Sequence, residues 1–306
     1  MIRAIYILWL LGFNLVAGSA IADDLTQTTV RPSNYDAQSN IPVELTREKA
    51  IRQIPAINPG EYFVPPEVKD IPTSKYGDMV KFGRNIFIDT QHYARRYVGN
   101  GLNCSNCHLQ EGRKPFAAPL WAAYPMYPEF RNKTRSVVTF ESRVQDCFRY
   151  SENGIAPTLD TPEIKALTSY AQWLSTGAPD NEEIPGRGFA RLSKPRDPTP
   201  VNGEKRYKEQ CATCHGVDGQ GQKFSNRDGY MFPPLWGGDS FNRGAGMNSI
   251  KSCAQFSKAN MPLGKGWTLT DMDAWDICTY IWLQNRPWDP RFGWFFNIFA
   301  APTGGN

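Results

Sequence analysis

The pentapeptides "CSNCH", residues 104 to 108, and "CATCH", residues 211 to 215, constrain this 306-residue chain more than any other feature. Each is a C-x-x-C-H. At that spacing two thiols reach the two vinyl groups on one edge of a porphyrin while the adjoining imidazole reaches the iron. A zinc site needs four ligands, and only one other histidine, His92, is present. A thiol redox pair needs no histidine after its second cysteine. The motifs therefore predict two covalently attached haem c groups, linked through Cys104, Cys107, Cys211 and Cys214, with His108 and His215 as iron ligands.

The two sites sit in a repeat. Gly83 precedes Phe87 before the first motif and Gly203 precedes Tyr207 before the second, the same four-residue step in each case. After each motif comes a capped helix. In "TPEIKALTSYAQWLSTG" Thr161 caps, Pro162 suits the first turn and Gly177 the stop, while Ile164, Leu167, Ala171 and Leu174 follow the helical period. In "TLTDMDAWDICTYIWLQNRP" Thr270 caps with Asp273, and Pro287 ends the run. Tyr170 and Tyr280 follow their histidines by 62 and 65 residues. The expected fold is mainly α: two tandem class I cytochrome c-like domains, 76–180 and 200–300, each with one haem c. A Pro- and Gly-rich linker, 181–199, joins them, and a proline-rich N-terminal arm, 23–75, is expected to wrap over them.

Residues 1–22 read as an export signal. Arg3 is followed by an apolar core and by small residues at Ala20 and Ala22. The apolar run is short for a span and is broken by Gly12 and Asn14, so cleavage is expected rather than a membrane anchor. This places the mature protein in a bacterial periplasm. The formal charge of +4 falls to +3 without Arg3, and no dense basic block remains, which argues against a nucleic-acid partner. The aromatic C-terminal run "WDPRFGWFFNIFA" is expected to pack back on the core.

Each iron has a sixth position, and its occupant sets potential and function. In the second domain the candidate is Met261 in "KANMPLG", with Met247 in "GAGMNS" as runner-up. His/Met ligation raises the potential and suits electron transfer. The first domain has no Met-Pro loop. Met126 lies 18 residues after His108, and His92, which precedes the motif, reads as a surface residue. At 39 residues after His108 stands Cys147, in "ESRVQDCFRYSENG". Cys253 and Cys278 either pair in the oxidising compartment or stay as buried thiols, and in the first case Cys147 is left over.

Phe140, Val144, Cys147 and Phe148 form a helical apolar stripe, which points Cys147 inward. Arg143 and Ser151 flank it at i−4 and i+4, and Arg131, Lys133, Arg135 and Arg149 outnumber Glu141 and Asp146 nearby. Without a haem this is a small buried residue on a helix with solvated cations. With one, a thiolate favoured by cations can bind ferric iron.

The runs "GLNCSNCHLQEGR", "AAPLWAAYPMYPEFRNKTRSVVTFESRVQDCFRYSENG", "FPPLWGGDSFNRGAGM" and "KANMPLG" closely resemble the dihaem thiosulfate dehydrogenases, over about residues 76 to 290. The resemblance implies that the first haem, held by His108 and Cys147, is the active site. There two thiosulfates would be coupled to tetrathionate, reversibly in some members, with Cys147, Arg143 and Ser151 as the catalytic set. The second haem, held by His215 and Met261, would pass electrons to a soluble c-type cytochrome or similar acceptor. Some members place a Lys before this Met and exchange ligands on reduction. Here that position is Asn260, with Lys258 a weaker candidate. The competing readings are a dihaem electron carrier without substrate, another sulfur-oxidising cytochrome with a haem-ligating cysteine, and a dihaem peroxidase.

Overall fold

The first long helix, α1 (Lys75–Ile88), lies across a second, and Gly83 makes the crossing possible. In this computed structural model, which describes residues 62–131, 135–179 and 184–292, a Cβ on Gly83 would collide with the Ala166 carbonyl and the Tyr170 Cβ. A hairpin of β1 (Glu129–Arg131) and β2 (Ser136–Val138) leads into α2 (Phe140–Asp146), capped by Thr139. The chain then widens into a π-helical turn over Cys147–Ser151. The crossing partner of α1 is α3 (Pro162–Leu174), with Thr161 at its N-cap and Gly177 at φ 79° beyond its end. Its four periodic residues, Ile164, Leu167, Ala171 and Leu174, are all buried.

The second half repeats the plan. Helix α4 (Pro200–Gln210) crosses α6 (Asp271–Trp282) at Gly203, where a Cβ would strike the Asp276 carbonyl and the Tyr280 Cβ. Helix α5 (Ile250–Asn260) packs on α6. The Thr270–Asp273 capping box starts α6. Glycine at both crossings, followed four residues on by a buried Phe87 or Tyr207, explains the repeat: backbones meet at the glycine and the next turn supplies the ring. The two domains are mostly helical, with two short two-stranded sheets among the described residues.

The linker is not slack. The carbonyls of Gly186 and Gly188 accept from the amides of Phe116 and Ala118 at 2.7 and 2.9 Å. Arg196 makes a bidentate pair with the buried Asp276 at 3.0 and 2.6 Å. The described end of the N-terminal arm also packs: Tyr62 and Phe63 lie against Phe116 and Trp121. Among the described residues no helix is long and apolar enough to cross a membrane. The export signal, most of the arm, Lys133 and the tail from 293 onward lie outside the described residues.

Candidate functional site: two haem pockets with unlike distal faces

Both motifs open onto cavities. Cys104, Cys107 and His108 line one of ≈ 410 Å³, and Cys211, Cys214 and His215 line another of ≈ 130 Å³. The two histidines are held alike. The Nδ1 of His108 bonds the Ala118 carbonyl at 2.7 Å, and that of His215 bonds the Pro233 carbonyl at 2.8 Å. A carbonyl accepts only from a protonated nitrogen, so each ring keeps its Nε2 lone pair for a metal. Desolvation lowers both imidazoles, which keeps them neutral and ligating.

The cysteines fit haem better than a bare ion. Burial pushes the Cys107 and Cys211 thiols up to about 12, with Glu152 adding to the first and Cys214 to the second. No group of three or more His, Cys, Asp or Glu side chains among the described residues is arranged to hold a bare ion, so the two cysteines beside each cavity suit thioether bonds instead. The second cavity also holds Arg286, 8% exposed, whose Nε and Nη1 have no partner among the described residues. Burial and the neighbouring Arg243 pull its pKa down to about 9. Its Nη2 donates to the carbonyls of Leu235 and Ile281 at 3.1 and 3.3 Å, but a buried guanidinium with two unmet donors and no counter-charge is costly. The carboxylate of a haem in that cavity would relieve it.

The distal faces differ. Met261 follows the last residue of α5 and lines the second cavity. Asn260, fully buried, anchors that corner by donating to the carbonyls of Phe256 and, in the first domain, Phe116 at 2.9 and 3.0 Å. Lys258 is committed elsewhere, to the Leu269 carbonyl at 2.5 Å and to Asp271 at 3.3 Å. Met247 lines both cavities, as do Leu102, Cys107 and Phe241, so the two sites share a wall. The open alternative for Cys253 and Cys278 resolves as a disulfide, with Cα atoms 5.7 Å apart, against the second cavity.

In the first cavity Cys147, Arg143 and Ser151 come together with His108. Continuous α-helix over the stretch is not what forms: the Glu152 amide reaches the Cys147 carbonyl at 2.9 Å, an i to i+5 bond, so the turn is a π bulge. The Cys147 sulfur raises the Arg143 guanidinium further above its ordinary value, against the pull of burial. Of the other flanking cations among the described residues, only Arg131 reaches this cavity. Arg149 pairs with Asp146 at 3.4 Å, and Arg135 is exposed. Met126 accepts from Arg187 at 2.6 Å and does not line the cavity, and His92 is exposed.

Two residues of this site were not singled out in the sequence. Tyr127 lines the cavity, and its hydroxyl accepts from Arg131 at 3.2 Å. Glu152 is 3% exposed, and burial pushes its carboxyl well above the usual carboxylate range. A carboxylate beside Ser151 in a helical stripe was the only sequence cue to it.

Two c-type motifs, two neutral histidines with free Nε2 atoms and two apolar cavities in a duplicated fold define a dihaem cytochrome c with two covalently bound haem c groups. Residues 90–179 match the SoxA/TsdA cytochrome c domain, and residues 198–281 match cytochrome c oxidase, cbb3-type, subunit III. The chain is 54% identical over 231 residues to a thiosulfate dehydrogenase of Stutzerimonas stutzeri, covering 75% of each. It is 47% identical over 238 residues to that of Thiomonas intermedia, covering 78% of this chain and 75% of the relative. The solved thiosulfate dehydrogenase (TsdBA) of Marichromatium purpuratum, "as isolated" form, superposes with a TM-score of 0.75 at 39% identity. That match covers 80% of this chain and 54% of the longer one. The chain belongs to the thiosulfate dehydrogenase family, and it is an enzyme.

Proposed function

We propose that the protein is a periplasmic thiosulfate dehydrogenase. It couples two thiosulfates to tetrathionate and passes the two electrons to a soluble c-type cytochrome or similar acceptor. The relatives' names support the substrate. The observation that carries the reading is the convergence of Cys147, Arg143 and His108 on one cavity. His108 and Cys147 would hold the first haem, and His215 and Met261 the second. Bound there, the haems supply two one-electron acceptors.

The chain's own groups do the rest. Arg143 and Arg131 draw the sulfonate oxygens of thiosulfate into the cavity and orient its outer sulfur on Cys147. Tyr127 and Ser151 offer hydroxyl donors on either side. The Cys147 thiolate and the first thiosulfate join through a new S–S bond, giving Cys–S–S–SO₃⁻ with loss of two electrons. The second thiosulfate attacks, through its own outer sulfur, the sulfane sulfur that lies between Cys147 Sγ and the sulfonate of that adduct. The Cys147–S bond breaks, tetrathionate leaves and the thiolate returns, as in thiol–disulfide exchange. No proton is consumed, so the step uses the cations beside Cys147 and calls on no general base. Arg143 also stabilises the returning thiolate, so the leaving group is a good one.

The test is a thiosulfate assay with an artificial one-electron acceptor, reading tetrathionate. The wild type should release tetrathionate from thiosulfate alone. Cys147→Ala should keep both haems and lose turnover, and wild-type activity in that variant would overturn the reading.

A further inference from the structure

The turn that carries Cys147 is held from outside its own domain. A helix end leaves its last carbonyls without helical donors. Here those are the carbonyls of Arg149, Tyr150 and Ser151, at the end of the π turn. The side chain of Asn242, in the second domain, donates from Nδ2 to the Arg149 carbonyl at 2.9 Å. Its backbone amide donates to the Tyr150 carbonyl at 3.0 Å. The third carbonyl, of Ser151, accepts from Asn100 at 2.9 Å, and the same Asn100 amide reaches the Ser240 carbonyl, two residues before Asn242, at 3.3 Å.

Asn242 is fully buried and its side chain is completely used. Nδ2 makes a second bond, to Asn153 Oδ1 at 3.0 Å, and Oδ1 accepts from the Gly244 amide at 2.9 Å. Two donors on one atom and an acceptor beside it are what a primary amide offers and a hydroxyl does not.

A π turn is an uncommon way to leave an α-helix. With the carbonyls of Arg149 and Tyr150 held by Asn242, relaxation to α geometry would return the Cys147 carbonyl to an i+4 donor and rotate Cys147 and Arg143 against the fixed end of the turn. Within the turn, the bond from the Glu152 amide to the Cys147 carbonyl is the one that resists this. We propose that Asn242 is a positioning residue for the first site: the electron-transfer domain locks the π turn and so sets how Cys147 and Ser151 enter the cavity of the catalytic domain. The inference rests on the reading of Cys147 as iron ligand and reacting sulfur.

The experiment compares the holoprotein with Asn242→Ala, Asn153→Gly and Ser240→Ala. Asn153→Gly removes the second acceptor while keeping a residue suited to the φ of 47° at that position. Ser240→Ala is the control, since its hydroxyl bonds only within the second domain, to the Pro234 carbonyl at 3.1 Å. The readouts are the electron paramagnetic resonance of the oxidised protein, haem by haem, and kcat and KM for thiosulfate. Asn242→Ala should split or broaden the thiolate-haem signal, leave the second haem's signal unchanged and lower kcat by roughly ten- to a hundredfold. Asn153→Gly should do the same more weakly. Ser240→Ala should lower thermal stability alone. A wild type without any thiolate-haem signal would sink the ligation reading itself. A wild type that has it and an Asn242→Ala protein with an unchanged signal and kcat would sink the positioning role. If Asn242→Ala yields no dihaem protein, an unchanged signal in Asn153→Gly decides against the proposal.

Discussion

His108 and His215 are held in the same way, each by a backbone carbonyl a short distance along its own loop, 10 and 18 residues on. On the opposite face the two sites part. The second presents Met261 in a tight apolar pocket beside a disulfide. The first presents Cys147 in a larger cavity with Arg143, Arg131, Tyr127 and Ser151 around it. The loops also differ. Around the first site Gln110, Glu111, Phe116 and Ala118 all take positive φ, between 48° and 61°, whereas the turn after His215 uses Gly216. Non-glycine residues in that region cost about 1 kcal/mol or more each. Duplication supplied one scaffold twice. Strain and a cluster of cations are concentrated on the copy that carries Cys147, and the proposed division of labour between a reacting site and an electron-transfer site rests on that difference.

The sharpest way to break this comparison is to exchange the distal ligands. Cys147→Met should turn the first site into a second electron-transfer haem, raising its potential and cutting tetrathionate formation by at least about 10³-fold. Met261→Cys should not make the second site an enzyme, because among the described residues that line its cavity the one cation, Arg286, is not on the helix turn that carries the ligand as Arg143 is, and no tyrosine lines it. Redox titration and the thiosulfate assay on both variants check this.

A smaller effect should come from Arg286. If its unpaired nitrogens face a haem carboxylate, Arg286→Gln removes a compensating positive charge. The second haem's reduction potential should then fall, by on the order of tens of millivolts, while the first stays in place. Spectroelectrochemistry that resolves the two haems reads it.

The smallest effect concerns stability. Lys114, in the loop of the first site and 4% exposed, is pulled by burial to about 8 from 10.5. Between those pH values the unfolded chain binds the extra proton, so stability rises with pH across that window, and the full penalty stands below about pH 8. Lys114→Met should therefore stabilise the protein at pH 7 by roughly 3 kcal/mol or less, with the gain vanishing near pH 10.5. Thermal melts of the two proteins at both ends of the window measure it.

Much of this was readable along the chain. Covalent haem attachment demands a fixed local spacing, so both motifs, their histidines and the Met261 loop declare themselves. The same is true of the Thr270–Asp273 cap and of the glycine–aromatic step, because helix crossings repeat with the fold. The cation cluster was only partly legible. Arg131, Arg135, Arg143 and Arg149 look alike in sequence, but β1 and α2 deliver Arg131 and Arg143 to the cavity, while Arg135 goes to solvent and Arg149 to Asp146.

The sequence by itself determined the cofactor chemistry and the duplicated helical plan, because both depend on residues within a few turns of one another. Only the tertiary structure decided that Cys253 pairs with Cys278, that Met247 stands in the wall between two cavities, and that Asn242 closes the turn bearing Cys147. Those partners lie 25 to 93 residues apart or more. Their meeting is set by how helices pack within the second domain and how the two domains bury their faces against each other, which no local pattern encodes.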